Sequence, residues 1–179
     1  ITAGGTGRSA ILVFEGERQT GKGETAWLTA QLIGAEFIGY AADDLPAAGE
    51  GAENDRHERQ LFFELATNAL RTNKSVVLER RQCVREERLQ LAELAEKFEC
   101  ELLWLRCRGP VEAKPADELS LTNLQAGLHW DEQIMQRPLN VMPLELALAP
   151  LASAKMVLHE LRRIISRKTT SLAGQSAPF

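Results

Sequence analysis

The 179-residue chain contains no run of about 18 apolar residues, the length a membrane-crossing helix needs, so no membrane insertion is expected. Charge of neither sign dominates. The 21 Lys and Arg stand against 25 Asp and Glu, a net charge of -4, which excludes a broadly cationic surface for nucleic acid or anionic lipid and leaves room only for local basic grooves. Cysteine is scarce: Cys83, Cys100 and Cys107 are odd in number and follow no C-x-x-C spacing. Neither a disulfide framework nor a zinc site is expected, and free thiols fit a reducing intracellular compartment, cytoplasm or organelle matrix. There is no internal repeat, which excludes a solenoid. The length suits one domain with a sizeable core.

What the chain does have is "FEGERQTGKGETA" at 14–26. Gly16, Gly21 and Lys22 satisfy the spacing G-x-x-x-x-G-K, and Gly23 stands where a Ser or Thr usually follows the Lys. Such a loop works because glycines let successive backbone N–H groups face a phosphate at the positive end of a helix. The Lys adds a point charge over the β- and γ-phosphates. The context fits, since "AILVFE" (10–15) is an apolar run of buried-strand length and "ETAWLTAQLI" (24–33) predicts a helix stopped by Gly34. The hydroxyl that ordinarily holds Mg²⁺ is missing at Gly23 and arrives only at Thr25. Glu24 opens the helix, where an acid suits the macrodipole. The loop therefore reads as built for phosphates, with its magnesium chemistry altered. Its candidate nucleotide contacts are Gly16, Gly21, Lys22, Gly23 and Thr25.

The rest of the chain alternates. "EFIGY" (36–40) predicts a second strand ending near Asp43 and Asp44, and residues 46–55 predict a loop. A helix follows over 56–73, with Leu61, Phe62, Leu65, Ala66, Ala69 and Leu70 on its inward face. "SVVLE" (75–79) is a strand, "VREERLQLAELAEKF" (84–98) an amphipathic helix and "ELLWLR" (101–106) another strand. Residues 107–137 form a helical, lid-like insert. "LNVM", between Pro138 and Pro143, is a short last strand. "PLASAKMVLHELRRIIS" closes as a helix with Ala154, Val157, Leu158, Leu161 and Ile165 inward. This alternation predicts an α/β fold of three layers, a mainly parallel five-stranded sheet with helices on both faces. One domain over 10–166 is expected, with flexible tails at 1–9 and 167–179 able to dock on protein partners.

Several charged residues fall at strand ends. Asp43 and Asp44 follow the second strand, at the carboxyl edge where open α/β sheets bind ligands. A carboxylate there accepts the proton of an attacking hydroxyl, or alternatively caps a turn. Glu79 ends the third strand, where an acid orders magnesium-bound water. Arg80 and Arg81 either face the phosphates or are solvated. Arg106 and Arg108 flank the end of the fourth strand, and Arg137 is the candidate to neutralise transition-state charge. Between Arg108 and Arg137 there is no Arg, and the only Lys is Lys114. Trp104 and Trp130 read as packing residues.

In this layout the chain resembles the small P-loop kinases with an AAA-type ATP-binding domain. That group includes zeta-toxin-like, chloramphenicol-phosphotransferase-like and polynucleotide 5′-hydroxyl-kinase-like proteins. "GERQTGKG" matches the family's phosphate loop, and "YAADDLP" resembles its S-x-D-x-x-R stretch. "SVVLERRQCVREERLQLAELAEKFECELLWLRC" (75–107) is similar to its strand ending in an acid, its R-x-E-R helix and the strand after it. "DEQIMQRPL" resembles its segment between lid and last strand. The resemblance covers roughly residues 9–166 and implies a P-loop NTPase fold with ATP and Mg²⁺ as cofactors. It places Lys22 on the phosphates, Asp43 or Asp44 as base toward a hydroxyl acceptor, and Glu79 in the strand-end acidic role. Three departures accompany it: no loop hydroxyl, "ERR" in place of a strand-end Asp-x-Thr, and no lid Arg pair. Two functions follow. One is an ATP-dependent kinase acting on a hydroxyl of a small molecule or nucleic-acid end. The other is a catalytically degenerate relative serving as a structural or regulatory subunit of a larger assembly.

Overall fold

Every residue of Ala10–Glu15 is buried, as a strand with a helical layer on each side requires. The computed structural model describes residues 9–16, 20–39, 51–81, 83–109, 140–146 and 149–174, with backbone only at 51–58 and 168–174. Its strands are β1 Ala10–Glu15, β2 Glu36–Ile38, β3 Val76–Arg80, β4 Glu101–Arg108 and β5 Asn140–Glu145. Its helices are α1 Lys22–Ile33, α2 Gly51–Arg71, α3 Arg85–Lys97 and α4 Pro150–Gly174. All strand pairs are parallel, in the order β2-β3-β1-β4-β5. This is the five-stranded three-layer fold the alternation predicts.

Period-two alternation along β1 divides the interior into two cores. Ala10, Leu12 and Phe14 pack with Ala26 and Ala30 of α1 and Val157 and Leu161 of α4. Ile11 and Val13 pack on the other face with Phe62 and Ala66 of α2 and Leu91 and Ala95 of α3. Trp104 of β4 lies in this second core, as a packing residue should.

Some boundaries and faces differ from the sequence-based expectation. In α2 the buried stripe is Phe62, Ala66, Ala69 and Leu70, whereas Leu61 and Leu65 are 48% and 44% exposed. Each of the two leucines is one residue, about 100°, off the stripe, and hydrophobicity alone did not separate them from it. α2 also begins at Gly51, within the residues expected to be a loop. α4 buries Ile164, which the sequence reading passed over, and continues beyond Ser166 to Gly174 because no breaker intervenes. Pro143 lies inside β5 rather than after it, in register with Arg106. β5 is the outermost strand, so one of its edges needs no hydrogen-bond donors.

Candidate functional site

β1 ends at Glu15 and the chain turns at once through Gly16. A Cβ on Gly16 would lie 2.5 Å from the Cys107 carbonyl oxygen, so the close approach of β4 demands glycine here. The Gly16 N–H donates to the Arg80 carbonyl at 3.3 Å, which wedges the start of the loop between the ends of β3 and β4. Residues 17–19 lie outside the described residues. The loop closes on Gly21, whose φ of 79° and ψ of 8° are left-handed values that glycine adopts without strain. No side chain caps α1. Its start therefore presents the positive end of the helix with no competing side-chain acceptor.

Lys22 is the first residue of α1 and is buried. Its Nζ stands 3.2 Å from Oε1 of Glu79, at the end of β3. This is the point where the chain switches direction across the sheet: β1 leads leftward to β2, and β3 leads back across β1 to β4. Open α/β sheets bind ligands at such points. Gly23 borders the same carboxylate, since a Cβ there would lie 3.0 Å from Glu79 Oε2. Thr25 is buried, and its hydroxyl donates back to the Gly21 carbonyl at 3.3 Å. Glu24 is exposed. Gly16, Gly21, Lys22, Gly23, Thr25 and Glu79 are thus brought together, while Asp43, Asp44, Arg137 and Trp130 lie outside the described residues.

Arg80 takes neither of the two positions expected for it. Strand alternation turns Glu79 toward α1 and Arg80 toward the α2/α3 face, where Arg80 is buried. There its guanidinium pairs with Glu87 and sits 4.8 Å above the Phe62 ring. Arg81 and Arg108 are exposed, whereas Arg106 is buried in register with Glu15.

A buried charged cluster that the sequence reading missed therefore underlies the site. Glu15 accepts the Cys83 N–H at 3.0 Å. Arg88 donates to the Cys83 carbonyl at 2.8 Å, and Glu87 accepts the Val84 N–H at 3.0 Å. Burial raises the Glu15 pKa, while the Cys83 amide and then Arg88 and Arg106 oppose it. The signal for Glu87 and Arg88 was available in the sequence: they precede the core residue Leu91 by four and three positions, on its helical face.

Cys107 lies beside the loop, and burial pushes its thiol up to about 12 despite the nearby Lys22. It is therefore protonated and inert at neutral pH. All three cysteines are free and buried. An open groove of about 870 Å³ between α2 and α3, lined by Arg59, Phe63, Thr67, Gln90 and Leu94 among others, is separate from the loop.

No protein-family model and no curated protein matches the chain. Solved structures do. A putative kinase from Chloroflexus aurantiacus is 14% identical, with a TM-score of 0.58 over 89% of this chain and 99% of that one. A gluconokinase from Sinorhizobium meliloti 1021 is 17% identical, with a TM-score of 0.53 over 94% and 98%. An APS kinase from Mycobacterium tuberculosis, in complex with AMPPNP and APS, is 15% identical, with a TM-score of 0.51 over 87% and 98%. The chain has the small P-loop kinase fold. The likeness spans nearly the full length of both partners. No helix among the described residues is long and apolar enough to cross a membrane.

Proposed function

We propose that the chain binds ATP at the loop between β1 and α1 and transfers its γ-phosphate to a hydroxyl of a small molecule or nucleic-acid end. The observation that carries this reading is the meeting of Lys22 and Glu79 at the switch point of the sheet, beside an uncapped helix start. The likeness to a gluconokinase, and to an APS kinase holding AMPPNP and APS, supports a phosphoryl donor of the ATP class.

Phosphoryl transfer asks the protein mainly for positioning and charge stabilisation. Gly16, Gly21 and Gly23 let backbone N–H groups approach the phosphates, and Lys22 places its ammonium against the β- and γ-phosphates. Thr25 holds the first turn of α1 in shape. In this reading Asp43 or Asp44 accepts the proton of the attacking hydroxyl, and Arg137 offsets charge on the transferring group. Glu79 is the residue that would hold Mg²⁺. Mg²⁺ held there would supply positive charge against that of the phosphates. The residues would fit such an ion in one respect: the Glu79 carboxylate, a hard oxygen donor, borders position 23 at the start of α1.

The test is transfer of label from γ-labelled ATP to panels of sugars, nucleosides and 5′-hydroxyl oligonucleotides. We expect one panel to be labelled, with Lys22→Ala lowering the rate ~10²–10³-fold. The missing hydroxyl at Gly23 favours a second reading, a subunit that has lost catalysis and docks through residues 1–9 and 167–179. On that reading nucleotide binding is weak or indifferent to Mg²⁺ and no panel is labelled.

A further inference from the structure

α2 and α3 are crossovers packed on one face of the parallel sheet, so they run side by side in the same direction. Their relative level is set where Arg59 Nε of α2 stands 3.9 Å from Glu87 Oε1 of α3. Equal rise from that pair brings Phe63 level with Leu91, and Thr67 level with Ala95. The groove of about 870 Å³ between the two helices opens outward. Phe63 and Leu94 line it and are only partly buried against the core. Its rims carry charge in a fixed order. Glu64 and Glu93 come first, Arg71 and Lys97 follow toward the carboxyl ends, and all four are exposed. Glu64 precedes Arg71 by about two turns, and Glu93 precedes Lys97 by about one. Both pairs are centred at the same level, beside Thr67 on α2 and Ala95 on α3.

A surface with that symmetry is complementary to itself. Across a twofold axis residue i of one copy meets residue j of the other, and j meets i. An axis perpendicular to the helices at the level of Thr67 lays α2 on α2 and α3 on α3, antiparallel. Glu64 of each copy then faces Arg71 of the other, and Glu93 faces Lys97. An axis along the helices would lay α2 on α3, with Glu64 against Glu93 and Arg71 against Lys97. Like charges directly opposed reject that second arrangement. We propose that the α2/α3 groove is the surface on which two copies of this chain associate, as an antiparallel four-helix contact across a twofold axis beside Thr67 and Ala95. Burial of Phe63 and Leu94 supplies affinity, and the charge order sets partner and orientation. The groove contains no residue of the phosphate loop, so this contact is independent of the nucleotide reading.

The experiment is sedimentation equilibrium on the full chain and on two charge-reversed variants. The native chain is expected to be a dimer, twice the 19.8 kDa chain mass, at ~100 µM and to dissociate as salt rises. Arg71→Glu/Lys97→Glu leaves acid alone at the four rim positions, and Glu64→Lys/Glu93→Lys leaves base alone. Each variant faces its own charge and should self-associate at least ~10²-fold more weakly. Mixed in equal amounts, the two should form a heterodimer. Leu61→Gln, at an exposed apolar position outside the groove, should leave the native dimer unchanged. A native chain that stays monomeric at that concentration overturns the proposal and leaves the groove to a different partner. Variants that dimerise like the native chain, a mixture that stays monomeric, or dissociation by Leu61→Gln also overturn it. A native dimer indifferent to salt contradicts the charge-selected arrangement without recourse to any variant.

Discussion

Gly16 and Cys107 meet where the loop leaves the sheet, and each carries a measurable consequence. A methyl group at position 16 would collide with a carbonyl oxygen of β4, and a backbone atom inside a sheet cannot retreat as a side-chain tip can. Gly16→Ala is therefore expected to cost about 1–3 kcal/mol in denaturant unfolding, and a cost near zero would mean that β4 yields at its end. Cys107 acts through pH. Its thiol pKa lies above the ordinary value near 9, so the folded chain keeps a proton that the unfolded chain releases. The resulting stability is fully present below pH 9. It is lost at roughly 1.4 kcal/mol per pH unit as the pH climbs from about 9 toward about 12. Urea titrations across this range should show a steeper alkaline loss for the native chain than for Cys107→Ala, and parallel curves would place the thiol in contact with water.

Among the elements, α3 and α4 differ in how well they satisfy their polar groups. The start of α3 is fastened to the sheet by the buried pair of Arg80 and Glu87 and by the bonds around Cys83. Glu87→Gln leaves the Arg80 guanidinium buried without its carboxylate and is expected to destabilise by ~3–5 kcal/mol. A loss below about 1 kcal/mol would mean that water or another acid replaces Glu87. In α4 the Ser153 hydroxyl is fully buried without a hydrogen bond. Ser153→Ala removes an unsatisfied group and improves helix propensity, so it should stabilise by about 1 kcal/mol. Destabilisation would reveal a partner for that hydroxyl. These elements were legible where hydrophobic periodicity defines them. Among the described residues the five strands and four helices follow the order the alternation predicts, though α2 starts earlier than expected, because buried parallel strands are apolar throughout and their crossovers are amphipathic. Glu15, Glu87 and Arg88 were not legible as interior residues. A charged side chain reads as solvated until the partner that neutralises it, distant in sequence or on another element, is known.

At the scale of the whole molecule, the sheet order makes the site. Lys22 and Glu79 are far apart in the chain, and they meet because β1 and β3 are neighbours in register, with Phe14 opposite Glu79. The phosphate loop could be read from its glycine spacing, and the strand-end acid from the apolar run before it. Their contact, and the closeness of Gly23 to Glu79, follow from pairing and could not be read from spacing. A P-loop frame hosts many activities, so the fold narrows the function without naming the acceptor. A ligand that binds the folded chain also stabilises it, so MgATP at 100 times its dissociation constant is expected to add roughly 2.7 kcal/mol. A Lys22→Ala variant should lose most of that protection in a thermal scan.

The most direct test of the central claim is the calorimetric affinity for ATP, with and without Mg²⁺, of the native chain and of Lys22→Ala. A live site predicts binding that strengthens with Mg²⁺ and collapses in the variant. Absence of binding, or binding indifferent to both the metal and Lys22, would contradict the nucleotide site and leave a P-loop frame used for assembly.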